Sequence, residues 1–313
     1  MEGEDQNNGL VALPRISDET SAFTHVPEHG FSLFLANRTK TVHFVRHAEG
    51  THNEANHAYG DNTPVIYSTE GSWRFMDAHL TNKGIQQCVT ARQSLLGDVK
   101  PQLVVVSPFT RTLQTAHIMF CAKGYPFLVH DLCRERSGKY TCDKRRTKSE
   151  IVNELSPMFD ATNDSIDFDS FAYANEEDED WEEDRESDES VTLRAIRMMQ
   201  WLATRPEKEI AVVTHSSWLK HLFKAFGHRV EDKDKRTLHR LSGNAEIRSI
   251  TLALHKGFYP EGHWHGDTFV PVHKSFRKLR YAPSQTHVAD MHKHLRKHGS
   301  TKLPNVYPYG EPA

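Results

Sequence analysis

The sequence predicts a three-layer α/β/α fold, in which a mostly parallel sheet carries helices on both faces. The clearest strand signals are three short runs of β-branched and apolar residues, at Thr41–Val45, Leu103–Val106 and Glu209–Val213. Segments with helical spacing of apolar residues separate these runs along the chain. Because strands that alternate with helices form parallel sheets covered on each face, this order favours the α/β class.

The helices and two weaker strands can be placed by the same patterns. Four segments have the helical pattern: Thr81–Leu96, Thr110–Phe120, Val191–Thr204 and Ser216–Phe226. Two weaker strand candidates are Phe127–His130 and Ile247–Leu254. We predict loops at 54–79 and 139–190, and we expect substrate specificity to reside there.

The chain divides into three parts by composition. Residues 1–38 form a polar N-terminal arm, residues 39–256 the α/β domain, and residues 257–313 a basic, histidine-rich C-terminal extension. The domain carries an acidic insertion at 175–190 that is too charged to pack alone. We expect this insertion to be a solvated face or an exposed helix entry, attached to the domain by Trp181.

The composition argues against several classes of partner. The formal net charge is -3, which favours neither nucleic acid nor a membrane surface. No run reaches the roughly 20 apolar residues that span a bilayer, and the N-terminus does not resemble a targeting peptide. The four cysteines form no C-x-x-C pair, so we expect reduced thiols and a cytoplasmic location. The sequence does not indicate an oligomeric state.

Cationic or imidazole side chains follow each of the three confident strands. Arg46 and His47 follow the first, Arg111 is the fifth residue after the second, and His215 follows the third after one threonine. The carboxyl ends of parallel strands meet at one edge of a sheet, where helix N-termini add positive potential. Any one of these residues alone could be structural. Together they indicate a phosphate site, because arginine binds phosphate oxygens in a bidentate fashion.

Four motifs in order resemble those of the histidine phosphatase superfamily, whose founders are the cofactor-dependent phosphoglycerate mutases. They are R-H-A-E-G-T-H-N at 46–53, L-T-N-K-G-I-Q-Q at 80–87, S-P-F-T-R-T-L-Q-T-A at 107–116 and T-H-S at 214–216. Three further stretches are similar to plant and fungal phosphoglycerate-mutase-like proteins of undefined substrate: R-E-R-S-G at 134–138, C-D-K-R-R-T-K-S-E at 142–150 and N-A-E-I-R-S at 244–249. The resemblance implies a phosphoglycerate-mutase-like fold.

The same resemblance implies a phosphohistidine mechanism that needs no metal and no cofactor. In this mechanism His47 is the nucleophile, Glu135 the general acid and His215 a hydrogen-bond donor to phosphate. Glu49 is a rival acid that more simply orients its loop. The residues implied to bind phosphate are Arg46, Asn53, Arg111, His215 and Ser216. For Asn53, helix capping is the alternative.

Two features depart from a simple match or leave alternatives open. Arg145 and Arg146 are candidate substrate-binding residues, and a solvated basic loop is the alternative. Ala48 stands where the family has glycine, and it would be strained if that position required φ > 0. The mutase lid signature is missing, and 135–138 occupies its place, which argues against a glycolytic mutase.

The histidine-rich tail invites a metal hypothesis. His263 and His265 form a His-x-His pair near Asp267, but no second pair or cysteine ligand accompanies them, so we predict no metal site. The predicted activity is hydrolysis of a small anionic phosphometabolite. The alternatives are a phosphomutase and a non-catalytic, phosphate-binding scaffold.

Overall fold

The computed structural model describes residues 39–95, 99–168, 175–225, 232–256, 267–271 and 277–279. The predicted arm at 1–38 and most of the predicted extension at 257–313 lie outside these residues. The strands are β1 Thr39–Arg46, β2 Leu103–Val106, β3 Phe127–Val129, β4 Ile166–Asp167, β5 Glu209–Thr214, β6 Ile247–Lys256, β7 Asp267–Pro271 and β8 Arg277–Leu279. The helices are α1 Thr51–Tyr59, α2 Asn82–Leu95, α3 Thr110–Phe120, α4 Lys148–Ala161, α5 Asp188–Thr204, α6 Ser216–Ala225 and α7 Asp232–Leu238.

One sheet contains all the described strands, in the order β4-β3-β2-β5-β1-β6-β7, with β8 also paired to β6. Strands β1 to β5 pair in parallel, whereas β6 runs antiparallel to β1. The prediction of a mostly parallel sheet is therefore confirmed. Because β1 and β2 both flank β5, the residues that follow these three strands emerge side by side at one edge.

The central strands are buried on both faces, which explains their nearly continuous apolar sequence. Successive strand residues point to opposite faces, and β2 shows the result. Val104 and Val106 pack with apolar residues of α2, α3 and α4, whereas Leu103 and Val105 pack with those of α5 and α6. Burial of each such side chain contributes about 1.5–3 kcal/mol. The predicted layer of helices on each face is thus confirmed.

Helix α4 replaces part of the loop predicted at 139–190, so that prediction is wrong. Thr147 and Glu150 form a capping box at its N-terminus, and Ile151 and Leu155 are buried four residues apart. This signal was readable in the sequence. Pro157 inside the helix and the charged residues before it obscured the pattern. Helix α1 likewise occupies the first part of the loop predicted at 54–79.

The acidic insertion is bound to the α/β domain by buried hydrogen bonds, whereas the sequence predicted a solvated face or an exposed helix entry. The carboxylate of Asp178 is buried and accepts two hydrogen bonds from Arg134, at 2.8 and 2.9 Å. The Arg145 guanidinium donates to the carbonyl oxygens of residues 175, 176 and 177. Trp181 packs against Trp73, as expected for the residue that attaches the segment. The insertion ends at Ser187, which caps α5.

Two short strands lie in the region predicted as an extension without periodicity. β7 pairs with β6 between Leu252–Lys256 and Asp267–Pro271, and β8 pairs with it at Ile247–Ser249. The boundary predicted at residue 256 therefore falls inside the sheet. The histidines at 263, 265, 292, 294 and 298 lie outside the described residues. None of the described helices combines the length and apolarity needed to cross a bilayer. All four cysteines are buried free thiols.

Candidate active site

The loop after β1 is held by the two elements that flank that strand. The amide of His47 donates to the carbonyl of Thr214 at 2.9 Å, at the end of β5. The carbonyl of His47 in turn accepts from the amide of Ala245 at 3.2 Å, in the turn before β6. On its other side the loop lies against α2, where a Cβ at Gly84 would collide with the carbonyl oxygen of Glu49. Backbone contacts thus fix the position of His47.

The His47 side chain is a neutral imidazole with a free lone pair. Its Nδ1 lies 2.7 Å from the carbonyl oxygen of Ala48, a contact that requires Nδ1 to donate a proton. Nε2 is therefore left with its lone pair. Burial, followed by the charges of Arg111 and Arg46, holds the pKa of His47 well below its usual value. The imidazole is consequently uncharged at neutral pH.

Ala48 is not strained. It is not among the described residues with positive φ, and its methyl group is completely buried in the core. Its amide donates to the hydroxyl of Thr115 at 3.1 Å. Because the backbone at this position is ordinary, alanine fits where the family has glycine.

His215 faces His47 at the end of β5. The two rings are 5.1 Å apart between centroids, and Nε2 of His215 lies 2.8 Å from the hydroxyl oxygen of Ser107. The imidazole of His215 also contacts the ring of Phe109 edge-on. The Arg111 guanidinium lies over the same Phe109 ring, 4.5 Å from its centroid. Burial and Arg111 hold the pKa of His215 well below its usual value.

Arg46 and Arg111 are each held by hydrogen bonds to the protein, and each retains an N–H donor without a partner within the described residues. Arg46 donates from Nη1 to the carbonyl of Ser242 at 2.6 Å. Arg111 donates to the carbonyl of Cys142 at 2.6 Å and to the carboxylate of Asp143 at 3.1 Å. Within the described residues, the buried Nε atoms of both arginines and Nδ1 of His215 have no hydrogen-bond partner. Buried donors without partners are rare in folded proteins, so these atoms point to a bound anion.

The carboxylate of Glu135 lies at the N-terminus of α6, the helix that directly follows His215. Its carboxylate accepts from the amides of Ser217 and Trp218 at 3.2 and 3.0 Å, and from that of Arg136 at 2.8 Å. Burial and then the nearby Asp143 raise the pKa of Glu135, against the opposing effect of the Arg136 amide. A raised pKa is the property that a general acid needs near neutral pH.

Both carboxylate oxygens of Glu49 have partners next to its own loop. One carboxylate oxygen accepts from the hydroxyl of Thr81 at 3.0 Å, and the other pairs with Lys83 at 2.6 Å. This geometry suits the loop-orienting role more than that of an acid. Asn53 also has a structural contact, because its side-chain oxygen accepts from the amide of Gly50 at 3.1 Å and so caps α1. Ser216 directly follows His215 as the first residue of α6.

The described contacts of Arg145 and Arg146 lie within the protein, which corrects the alternative of a solvated basic loop, while their role in substrate binding stays a prediction. Arg145 is buried and binds backbone carbonyls of the acidic insertion. Arg146 forms ion pairs with Asp77 and Glu154. Their guanidinium groups have hydrogen-bond partners within the protein, so in this structure they join segments of the chain.

Sequence reasoning missed four residues of this region: His52, Asp77, Asp143 and Arg185. Asp77 is buried and caps α3 through the amide of Thr110 at 2.8 Å. Asp143 bridges Arg111 and Arg185, at 3.1 and 2.8 Å. His52 and Asp143 stand inside quoted motifs and could have been suspected there. No pattern in the sequence indicated Arg185, which pairs with Asp143 from the acidic insertion.

One described group has the spacing of metal ligands. Ligand atoms of His117, Cys121 and Asp164 lie within 4.8 Å of one another. However, Arg92 donates to the sulfur of Cys121 at 2.9 Å, and the hydroxyl of Thr162 contacts both other side chains. A guanidinium on the sulfur opposes a cation, so these groups form an internal polar network. The expectation of no metal stays a prediction.

Comparison with known protein families agrees with this architecture. The model of the histidine phosphatase superfamily (branch 1) matches residues 42–258. The chain belongs to this superfamily. The matched residues include β2 to β6 and most of β1, whereas β7 and β8 lie beyond them.

Relatives of this histidine phosphatase occur in plants. It is 34% identical over 255 residues to a phosphoglycerate mutase-like protein of Arabidopsis thaliana, covering 71% of this chain and 88% of that protein. Phosphoglycerate mutase-like protein 1 of the same plant is 31% identical over 255 residues, covering 71% and 84%. Among solved structures, mycobacterial hydrolase 2 is similar with a TM-score of 0.46 and 18% identity, covering 83% of this chain and 99% of that one.

Proposed function

We propose that this histidine phosphatase hydrolyses a small anionic phosphomonoester through a phosphohistidine on His47. The observation that carries the proposal is the meeting of two neutral imidazoles with two arginines whose buried Nε atoms have no partner within the described residues. Such a set stabilises the charge of a transferring phosphoryl group.

In the first step, Nε2 of His47 attacks phosphorus and the bond to the leaving oxygen breaks. Arg46, Arg111 and His215 hold the non-bridging oxygens, assisted by Asn53 and the helix that starts at Ser216. Neutral His47 is required, because a protonated imidazole has no lone pair on Nε2. The depressed pKa of His47 therefore supports this step.

Glu135 supplies the proton that the leaving oxygen takes up. In the second step its carboxylate accepts a proton from water, which attacks phosphorus as the N–P bond breaks and releases inorganic phosphate. The raised pKa of Glu135 supports the first of these roles. Neither step uses a metal ion.

Hydrolysis of an aryl phosphate by the purified protein tests the proposal. We expect turnover in the wild type, loss of at least about a thousandfold in His47→Ala, and trapping of ³²P on the protein only when His47 is present. Chelator should have no effect. The matched control is His57→Ala, an exposed histidine of α1.

Three results would redirect the proposal. Equal activity in His47→Ala would remove the nucleophile assignment, and loss of activity with chelator would replace the mechanism by a metal-dependent one. Transfer of phosphate to an isomeric hydroxyl, without release, would identify a mutase. Phosphate binding without any turnover would leave a binding protein.

A further inference from the structure

A third histidine of the candidate site has no part in the mechanism above. His52 is the second residue of α1, its side chain is 6% exposed, and its ring centroid lies 5.7 Å from that of His47. Burial, and then the charges of Arg111 and Arg46, hold the pKa of His52 well below its usual value. The ring is therefore neutral, carries one N–H donor and lies within the field of both arginines.

The His52 side chain forms no hydrogen bond within the described residues, and its Nδ1 is completely buried. Burial of an unpaired polar group costs about 1–3 kcal/mol. Other buried histidines of this chain avoid that cost. His43 contacts Ser249 at 2.7 Å, and His221 contacts the carbonyl of Ser217 at 2.8 Å. The imidazole of His52 thus differs from those of His43 and His221, which have partners within the protein.

The ring is also held in place, so it does not simply occupy spare volume. A Cβ at Gly50 would lie 2.8 Å from Nδ1 of His52, which shows how closely the ring packs on the backbone of the nucleophile loop. A glycine at this position makes room for the imidazole. Because Nδ1 faces Gly50, Nε2 is the ring nitrogen left for a ligand. The charges of Arg111 and Arg46 both act on this ring.

We propose that His52 donates a hydrogen bond to the phosphoryl oxygens of the substrate, as a third imidazole beside Arg46 and Arg111. This inference rests on the function proposed above. A phosphoryl dianion offers three non-bridging oxygens, each of which accepts more than one hydrogen bond. A neutral donor adds one of these bonds without placing a further charge beside the two arginines, where an extra cation would be costly.

Binding of orthovanadate and of inorganic phosphate to the full-length protein, measured by calorimetry, tests the inference. In His52→Phe, which keeps a ring but has no donor, we expect affinity for both anions to fall roughly tenfold or more. His52→Gln, which retains an N–H donor, should recover part of the loss. His57→Gln, on the exposed side of the same helix, should bind as the wild type does.

Thermal unfolding without anion separates a binding role from a structural one. Removal of a buried unpaired nitrogen should leave the melting temperature of His52→Phe unchanged or higher. Weaker binding together with undiminished stability supports the inference, whereas wild-type affinity in His52→Phe overturns it. Loss of stability and affinity together in both variants would show a structural residue and also overturn it.

The anions also distinguish failure of this inference from failure of the proposed function. If the wild type binds neither phosphate nor vanadate, the phosphate site itself is wrong and both ideas fall. If the wild type binds them, Arg111→Met abolishes binding and His52→Phe does not weaken it, only the role of His52 is wrong.

Discussion

At the scale of single residues, the candidate acid depends on a neighbour from another segment. Asp143 raises the pKa of Glu135, and it is itself held by Arg111 and Arg185. Glu135 must be protonated when it donates to the leaving oxygen. Activity should therefore decline at high pH, as Glu135 ionises, and the raised pKa extends the active range upward.

Substitution of Asp143 by Asn should move this decline. Without the charge of Asp143, the pKa of Glu135 falls, and the alkaline limb of the kcat/KM profile shifts to lower pH. The control is Asp180→Asn, which removes the same charge from a side chain that is 76% exposed. An unmoved limb in Asp143→Asn would show that Glu135 does not set it.

Ala48 allows a second residue-scale prediction. Since its backbone is ordinary and its methyl group buried, restoration of the glycine typical of the family should bring no gain. We expect Ala48→Gly to lower the free energy of unfolding by about 1 kcal/mol, through lost burial and added backbone freedom. Urea denaturation measures the loss. A more stable or markedly more active variant would show hidden strain at this position.

At the scale of elements, two carboxylates of the acidic insertion, one buried and one exposed, form ion pairs with the guanidinium of Arg134. Arg134 pairs with Asp178, whose side chain is 1% exposed, and with Asp180, whose side chain is 76% exposed. Loss of a buried partner leaves an uncompensated charge in the protein, whereas exposed pairs contribute little.

Asp178→Ala should therefore lower the free energy of unfolding by about 3–5 kcal/mol, and Asp180→Ala by less than about 1 kcal/mol. Chemical denaturation of both variants measures the two losses, which can be compared directly because both carboxylates pair with Arg134. Similar losses in the two would mean that the insertion is not held by its buried carboxylate. Because Arg185 on this segment reaches Asp143, detachment should also lower activity.

At the scale of the whole molecule, the proposed phosphate site joins the ends of β1, β2 and β5. A ligand that binds only the folded state stabilises it, by about 2.7 kcal/mol at a hundred times its dissociation constant. We expect inorganic phosphate to raise the melting temperature of the wild type, and chloride at equal ionic strength to have no such effect. An equal rise in Arg111→Met would show unspecific anion binding.

The central sheet was predictable because its strands are buried on both faces and their sequences are therefore apolar and β-branched. His47 and His215 were predictable because each comes directly after the end of such a strand. Helix α4 was missed because Pro157 interrupts its pattern. The role of Asp143 was not predictable, since Arg185 is 42 residues away and only tertiary packing brings the two together. The same is true of Arg145, whose carbonyl partners lie about 30 residues on.

The hydrogen bonds on both sides of His47 have a consequence for protein synthesis. Its amide is bound by Thr214 and its carbonyl by Ala245, almost 200 residues later in the chain. A nascent polypeptide that still lacks those residues contains Arg46 and His47 but not the two hydrogen bonds that hold the backbone of His47. The proposed activity should thus arise only after residue 245 has been synthesised, and a splice variant that stops before it should keep most motifs yet be inert.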